Sequence, residues 1–494
     1  MSDYGQLTQK VTAEGIRQIS ERIRMLYLSD KIPWVVGYSG GKDSTATLQL
    51  VWYAISQLES VQRKHKQIHV ISTDTMVESP VVAAWVNLSL ERMNASAQEQ
   101  DLPFWVHKLT PEISDSFWVN LIGRGYPAPR PNFRWCTDRL KIKPSNKFIT
   151  DVVAKHGEAI LVLGTRMAES SLRAANMKKY ESMRVREWLS PTKRLLNCLT
   201  FTPIEDWSND DVWVYLMQYS NPWGQANTDL LTMYKGASAD GECPLVLDTN
   251  TPSCGSSRFG CWVCTMVKED KSMKAMIQND DEKIWMTPLL EFRNQISNLD
   301  DRDNRDYRRM SGKVLLFNNR AVHGPYKKAY REYLLGRLLQ VERLLQELGP
   351  ASIGDFRLIS DDELRWIRRI WVVDKHEFDD SLPMIYERIT GKEYPFRDDI
   401  KNRFFRREEW ELLRVTSGDD DNLFQLQAEL LDISQQHSMF SAKRGVLQDL
   451  ENTIRRHYHE NEKDAVAAAL SLAEREEELR TIFRYYGAGS EGTI

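Results

Sequence analysis

Cysteine is scarce in this chain: six in 494 residues, at positions 136, 198, 243, 254, 261 and 264, with none beyond. So few thiols in so long a chain exclude a disulfide framework, and clustered thiols in a reducing compartment point to metal or redox chemistry. Long apolar runs are also missing. None reaches the roughly 18 residues of a membrane span, and the opening MSDYGQLTQKVTAEG lacks the basic-then-apolar pattern of a secretory signal. A cytoplasmic protein is therefore expected. Charge of one sign is missing too. With a net charge of −4 the chain is no globally basic nucleic-acid binder, so any such contact must come from local patches. Neither internal repeats nor low-complexity tracts occur, and the length suffices for two or three domains with a sizeable core.

What is present centres on Pro33–Leu50, PWVVGYSGGKDSTATLQL. Trp34–Tyr38 reads as a buried parallel strand, broken at Ser39-Gly40-Gly41, with a helix from about Asp43 into Trp52. Strand, glycine turn and helix N-terminus together make an anion cradle. Glycine lets the backbone approach a phosphate, while free N–H groups and the helix dipole point at it. Lys42 adds a point charge and Ser39, Ser44 and Thr45 add hydroxyls. The Walker spacing is absent, because no four residues separate a glycine from Gly-Lys-Ser/Thr. A plain Gly-Gly turn with a surface lysine is the alternative, disfavoured by the strand before and the helix after.

Two further strands end in the same manner. Gln67–Thr75 (QIHVISTDT) ends in hydroxyls and Asp74, and Ala159–Thr165 (AILVLGT) ends at Gly164-Thr165 ahead of Arg166. Ligands of open α/β sheets sit beyond the carboxyl ends of strands, so Thr73 and Asp74 should line the cradle's crevice. Capping of a helix near Pro80 would explain Asp74 equally well. Arg166 can offer a bidentate fork to phosphate, with Glu169 and Ser170 positioning it. A helix over 8–29 should pack Val11, Ile16, Ile19, Ile23, Met25 and Leu26 on the sheet. Another helix is expected at 80–97 and a short strand at Pro103–Leu109. LTFTPIEDWSNDDVWVYL (199–216) reads as a strand and a core helix capped by Ser208 or Asn209.

Phe117–Pro144 is rich in Pro, Gly, Arg and aromatics and reads as a structured loop. Arg124, Arg130, Arg134, Arg139, Lys141 and Lys143 surround Cys136 with positive charge, which would lower its pKa. That suits a reactive thiolate or a metal ligand, and the same field suits a polyanionic substrate. An inert buried cysteine is the alternative. Cys254-x6-Cys261-x2-Cys264 brings three thiols together, and one distant thiol completes a Cys₄ set. Zinc and iron–sulfur clusters both accept that set, and spacing does not choose between them. Cys198, isolated beside a strand, reads as a core thiol.

Beyond Met266 the texture is charged and helix-rich. Helices are expected at Asp270–Gln278, Asp280–Asn298, Tyr326–Leu348, Leu364–Val373 and Glu377–Ile389. After a break at Ser417–Asn422, helices at 423–435, 440–458 and 462–484 suggest a long hairpin that docks a partner, and Gly487–Ile494 a frayed tail. Asp301–Lys313 carries Arg302, Arg305, Arg308, Arg309 and Lys313 around Tyr307, as a solvated loop or a phosphate-backbone contact. Trp366, Arg368, Arg369 and Trp371, extended by Phe404, Phe405, Arg406 and Arg407, could track DNA or merely cover a helical core.

Taken in order, YSGGKDS, STDT, WCTDRLKIKP, LGTRMAES and PIEDWSNDDVW resemble the PAPS-reductase-type branch of the PP-loop ATP pyrophosphatases over roughly residues 30–270. The longer blocks LIGRGYPAPRPNFRWCTDRLKIKP, NPWGQANTDLLTMYKGASADGECPL and CGSSRFGCWVC are similar to the sulfurtransferases of bacterial DNA phosphorothioation. The resemblance implies an α/β fold, an open, mostly parallel sheet with helices on both faces, followed by a helical C-terminal region. It implies a PP-loop domain over 1–240, a cysteine-rich iron–sulfur segment over 241–275, a helical domain over 276–415 and a helical hairpin and tail over 416–494. ATP and Mg²⁺ would be held by Ser39, Gly40, Gly41, Lys42, Asp43, Ser44, Thr45, Thr73, Asp74, Gly164 and Arg166, with Lys42, Asp43 and Arg166 catalytic.

A [4Fe–4S] cluster is implied on Cys254, Cys261, Cys264 and a long-range fourth ligand. Cys136 is preferred, because the basic loop carries it toward the crevice, and Cys243 competes for the position. The implied partners are DNA, a cysteine desulfurase as sulfur donor and other proteins of a Dnd-type complex, with no membrane. Phosphosulfate reduction is the rival activity. Enzymes of that kind use a cysteine near their C-terminus, and this chain has none after Cys264. A nucleotide-binding scaffold with structural zinc is the rival from another class.

Overall fold

The computed structural model of the chain describes residues 11–192, 195–238, 260–298, 300–350, 356–397, 407–418, 420–438, 445–459 and 461–487. Its contacts divide into two compact units: Met1–Phe117 with Pro129–Ser297 and Leu345–Phe356, and Trp118–Ala128 with Asn298–Leu344 and Arg357–Ile494.

In the first unit the chain runs α1 (Ala13–Leu28), β1 (Trp34–Gly37), α2 (Lys42–Ser56), a single turn α3 (Ser60–Arg63), β2 (Ile68–Thr73), α4 (Pro80–Glu99) and β3 (Phe104–Leu109). There follow α5 (Lys143–His156), β4 (Ala159–Val162), α6 (Ser171–Glu181), β5 (Ser190–Pro191), β6 (Cys198–Phe201), α7 (Asn209–Gln218), α8 (Asn227–Gly236), α9 (Lys271–Asn279) and α10 (Thr287–Ile296). The sheet has strand order β3-β2-β1-β4-β6-β5. All its pairings are parallel except β5 with β6. This is the open, mostly parallel α/β sheet expected from the apolar runs.

Strand side chains alternate between two cores. Trp34, Val36, Ile68, Val70, Ile160 and Val162 pack with the apolar faces of α1, α2, α4, α7 and α8. On the opposite face, Val35, Ile71 and Ala159 meet Ile149 and Val152 of α5. In α1, Thr12 caps the first turn and Ile16, Ile23, Leu26 and Tyr27 form the buried stripe. Met25, expected on that stripe, is 56% exposed. The buried face turns through Tyr27 instead, whose hydroxyl donates to the Lys66 carbonyl at 2.9 Å.

The stretch expected as a loop over 117–144 contains two wide helical turns, Val119–Gly123 and Thr137–Ile142, and the second runs directly into α5. Pro144 lies in the first turn of α5, where the helix passes from the wide turn to α-helical winding.

The second unit holds the hairpin strands β7 (Leu316–Phe317) and β8 (Arg320–Ala321). Its helices are α11 (Lys328–Leu348), α12 (Asp361–Arg369), α13 (Ser381–Thr390), α14 (Arg407–Ser417), α15 (Asp421–Ser438), α16 (Val446–His457) and α17 (Glu462–Gly487). Trp118–Ala128 is woven into this unit. The Trp118 indole donates to the Leu358 carbonyl at 2.6 Å, the Trp371 indole to that of Ile122 at 3.1 Å, and Tyr326 N–H to that of Gly125 at 2.6 Å. Arg124 therefore belongs to the helical unit and is no part of the first unit's basic loop.

Of the aromatic and arginine mixture around Trp371, Trp371 and Arg368 are core, while Arg369 is exposed over the half-buried Trp366 ring, 5.2 Å from its centroid. Trp371 is buried beneath the Arg331 guanidinium, 5.3 Å from the ring centroid, and buried Arg368 pairs with Asp380 at 2.7 Å. Phe404, Phe405 and Arg406 lie outside the described residues. No helix among the described residues is long and apolar enough to cross a membrane.

Candidate functional site

Strand order reverses direction at β1 and β4, and an open sheet places its crevice beyond the carboxyl ends of such a pair. A cavity of about 1030 Å³ lies there, lined by Ser39 to Ser44, Thr73, Asp74, Gly164 and Arg166. Three separate strand ends, at 39–44, 73–74 and 164–166, thus converge on one hollow. Gly40 adopts φ +75°, and a Cβ there would lie 2.5 Å from Val86 Cγ2. The Trp85 indole donates to its carbonyl at 3.0 Å. Gly41 is the N-cap of α2 and supplies no side chain, which leaves the helix N-terminus, apart from the Lys42 N–H, open to an anion. Ser44 Oγ stands 3.1 Å from Ser39 Oγ and accepts the Ser39 N–H at 3.2 Å. Thr45 differs from expectation. It is fully buried, and its hydroxyl donates to the Gly41 carbonyl at 2.9 Å, so it braces the loop from beneath and does not line the cavity.

Asp43 accepts from Lys42 Nζ at 2.9 Å and from Arg166 Nε at 2.7 Å. It makes no helix cap. Arg166 is 3% exposed and also donates through Nη1 to the Trp207 carbonyl at 3.2 Å. Two of its donor positions are thus committed, and the guanidinium holds Asp43 in place of presenting an open fork. Asp74 caps no helix either: it accepts the Met76 N–H at 2.8 Å and pairs with Lys108 at 2.9 Å. Thr73 Oγ1 lies 3.0 Å from Ser145 Oγ.

Gly164 sits where the end of β4 meets α2. A Cβ there would lie 2.6 Å from the Asp43 carbonyl oxygen and 2.8 Å from Thr47 Oγ1, so neither neighbour could yield without moving the first turn of the helix. Gly164→Ala is expected to lower stability by about 1–3 kcal/mol and to weaken ATP binding at least tenfold. Thermal melts with and without ATP check both effects; an unchanged ATP-induced shift would show that the cradle tolerates the displacement.

Sequence reasoning missed Tyr234, whose hydroxyl accepts the Lys42 N–H at 3.4 Å while the Lys42 ammonium lies 5.9 Å from its ring centroid. It missed Lys108, Glu78 and Ser145 as well, and saw Lys141 only as part of the basic field around Cys136; all four lie on the cavity wall. Nothing in their local spacing marks them; only the closing of α8 and of the 137–145 turn on the crevice does.

The cysteine turn docks beside this cavity. Cys261 pairs with Glu78 in a single antiparallel bridge, Trp262 N–H donates to the Val77 carbonyl at 3.0 Å, and Thr75 Oγ1 lies 3.2 Å from Cys261 Sγ. Fully buried Arg293 pins the turn, donating to the carbonyls of Cys264 at 3.0 Å and Lys268 at 2.9 Å. Cys136, Cys261 and Cys264 carry free thiols, and all three act electrostatically on Lys141, whose ammonium is 3.7 Å from Glu78. Among the described residues no three His, Cys, Asp or Glu side chains converge closely enough to hold a single metal ion. Cys243 and Cys254 lie outside the described residues.

The basic field does not depress the Cys136 thiol as expected. Burial raises its pKa, and Arg139 and Lys143 are drawn to the Asp115 carboxylate, Arg139 at 2.7 Å. Cys261 is pushed up to about 12, by burial first and then by Glu78. Cys198 opens β6 at 2% exposure, with its thiol pushed up to about 11 by burial, which fits a core residue. Cys198→Ala should therefore cost about 1 kcal/mol of stability and leave any shift of the melting temperature by ATP unchanged. Loss of that shift in the variant would contradict the assignment.

Residues 33–266, just under half of the chain, match the family described as the phosphoadenosine phosphosulfate reductase domain, so this part of the chain is PAPS reductase-like. An uncharacterized protein of Methanocaldococcus jannaschii is 24% identical over 277 residues, which cover 55% of this chain and 45% of that relative's length. The chain thus spans less than half of the relative it matches. Among solved structures, the U34-tRNA thiolase NcsA from Methanococcus maripaludis with its [4Fe–4S] cluster aligns at 13% identity and a TM-score of 0.27, over 58% of this chain and 83% of that one. Candida glabrata FMN adenylyltransferase in complex with FMN and an ATP analogue aligns at 10% identity and a TM-score of 0.27, over 51% and 77%.

Proposed function

We propose that the chain is an ATP-dependent sulfurtransferase of the DndC type, which adenylates a backbone phosphate oxygen of DNA and replaces that oxygen with sulfur. The observation that carries this reading is the shared wall of two sites. Glu78 and Lys141 line the phosphate-loop cavity and also stand beside the cysteine turn.

A non-bridging phosphodiester oxygen attacks the α-phosphorus of ATP. One P–O bond forms, the bond to the β-phosphate oxygen breaks, and pyrophosphate leaves. The amides of Ser39–Ser44 and the Lys42 ammonium stabilise the charge on the leaving group, with Mg²⁺ sharing it. Sulfide then forms a P–S bond to the DNA phosphorus as the activated oxygen departs with AMP. That sulfide comes from cysteine through a desulfurase, with two electrons from a thiol reductant. Cys254, Cys261 and Cys264, with Cys136 or Cys243 as the long-range fourth ligand, suit a cluster, which spreads its thiolates over separate irons. A lone zinc would draw them together at about 2.3 Å from one ion. Held by four thiolates, a [4Fe–4S] cluster would supply electron-transfer chemistry beside the cavity.

The test combines the anaerobically purified chain with ATP, duplex DNA, a cysteine desulfurase, cysteine and dithiothreitol. Pyrophosphate release should rise at least tenfold with DNA, and linkages cleavable by iodine should accumulate. Pyrophosphate release indifferent to DNA, with no iodine-sensitive linkage, would refute DNA as the substrate.

A further inference from the structure

The cations of 301–313 fall into two sets. Arg302 pairs with Glu462 at 2.6 Å, Arg305 donates to the Gly324 carbonyl at 2.9 Å, and Arg308 pairs with Asp306 at 2.9 Å. These three hold the fold. Arg309 and Lys313 are exposed and make no ion pair among the described residues, and the same holds for Arg320. All three lie within the twelve residues 309–320, from the 309–313 turn to the second strand of the hairpin. Arg309 N–H donates to the Lys313 carbonyl at 2.8 Å, closing a tight turn, and the chain then enters the β7–β8 hairpin.

In the hairpin Phe317 pairs with Arg320, and the two loop residues Asn318 and Asn319 have φ +48° and +59°. Two consecutive left-handed residues make a tight turn that matches the twist of a β-ribbon, so the tip is set by its own backbone. Phe317 is 69% exposed at that tip and Leu315 is 47% exposed two residues before it, on the same face of the ribbon. Beside them lies a hollow of about 510 Å³ lined by Phe317, Asn318, Arg320, Ala321 and Val322. An aromatic ring exposed at the tip of a hairpin, with unpaired cations on the same stretch of chain, is complementary to a polyanion that also offers flat faces for stacking.

Resting on the DNA reading above, we propose that the β7–β8 hairpin is a duplex-DNA contact. Phe317 wedges against a base step, and Arg309, Lys313 and Arg320 hold the flanking phosphates. The test measures fluorescence anisotropy of a labelled duplex with the full chain, between 50 and 200 mM salt. The triple variant Arg309→Ala, Lys313→Ala, Arg320→Ala should lower the slope of log affinity against log salt by about 2.7, at about 0.9 per lost phosphate contact. Phe317→Ala should weaken binding about tenfold with the slope unchanged. Both variants should melt at the wild-type temperature, because the altered side chains are exposed. Wild-type affinity and slope in both variants would overturn the hairpin assignment and leave the DNA reading standing. No duplex binding by the wild type at any of these salts would remove the DNA reading and the hairpin with it. Tighter binding of RNA, weakened by the same variants, would overturn the duplex assignment in favour of RNA.

Discussion

Cys136→Ser, purified without oxygen, is expected to be colourless where the wild type is brown. Iron should fall from about four per chain to less than one. The Cys136 thiol shares electrostatic contact with Cys264, and the same Lys141 answers to Cys136, Cys261 and Cys264 together. The turn that bears Cys261 and Cys264 is fixed by Arg293 and by the bridge to Glu78, so removal of Cys136 should empty the cluster without unfolding its other side. ATP should still shift the melting temperature, because the cradle is built from β1, β4 and α2 and borrows nothing from the cysteines. Iodine-sensitive linkages in DNA should disappear. A brown Cys136→Ser protein beside a colourless Cys243→Ser protein would hand the fourth position to Cys243. Zinc in place of iron in the wild type would favour a structural metal and a scaffold role.

Much of this site could be read from residue order because its signals are local. An apolar run followed by Ser-Gly-Gly-Lys-Asp-Ser specifies strand, turn and helix within a dozen residues, and the ends at Asp74 and Gly164 repeat the device. What stayed hidden depends on partners far along the chain. The indole of Trp118 finds its acceptor 240 residues away, which removes Trp118–Ala128 from the basic loop that its composition suggested. Cys136 was expected to ionise easily because six cations surround it in sequence. Asp115, outside that count, takes Arg139 and Lys143, and burial then decides the thiol's behaviour. Arg166 illustrates the same limit: its position at a strand end is legible, its attachment to Asp43 is not.

That attachment carries the second large effect. Arg166→Ala should lower pyrophosphate release by about 10²–10³, because the freed Asp43 carboxylate takes Lys42, the donor at the developing charge, out of use. The Arg166 side chain is 4% exposed and that of Asp43 24%. Without the guanidinium, the Asp43 carboxylate keeps only Lys42, and the ammonium is drawn toward Asp43 and away from the departing pyrophosphate. Truncating one partner of so enclosed a pair should also cost about 3 kcal/mol of stability, so the loss of activity must be separated from loss of fold. Two companions do this. Arg166→Lys keeps the charge but cannot serve Asp43 and the Trp207 carbonyl at once, and should recover stability more than rate. Asp43→Asn removes the negative charge that occupies Lys42 and Arg166; it should tighten ATP binding and still slow release if the carboxylate positions Mg²⁺ or the attacking group. A folded Arg166→Ala protein that releases pyrophosphate within threefold of wild type would show that the pair serves the fold alone, and the catalytic cation would then have to be Lys42 acting unaided.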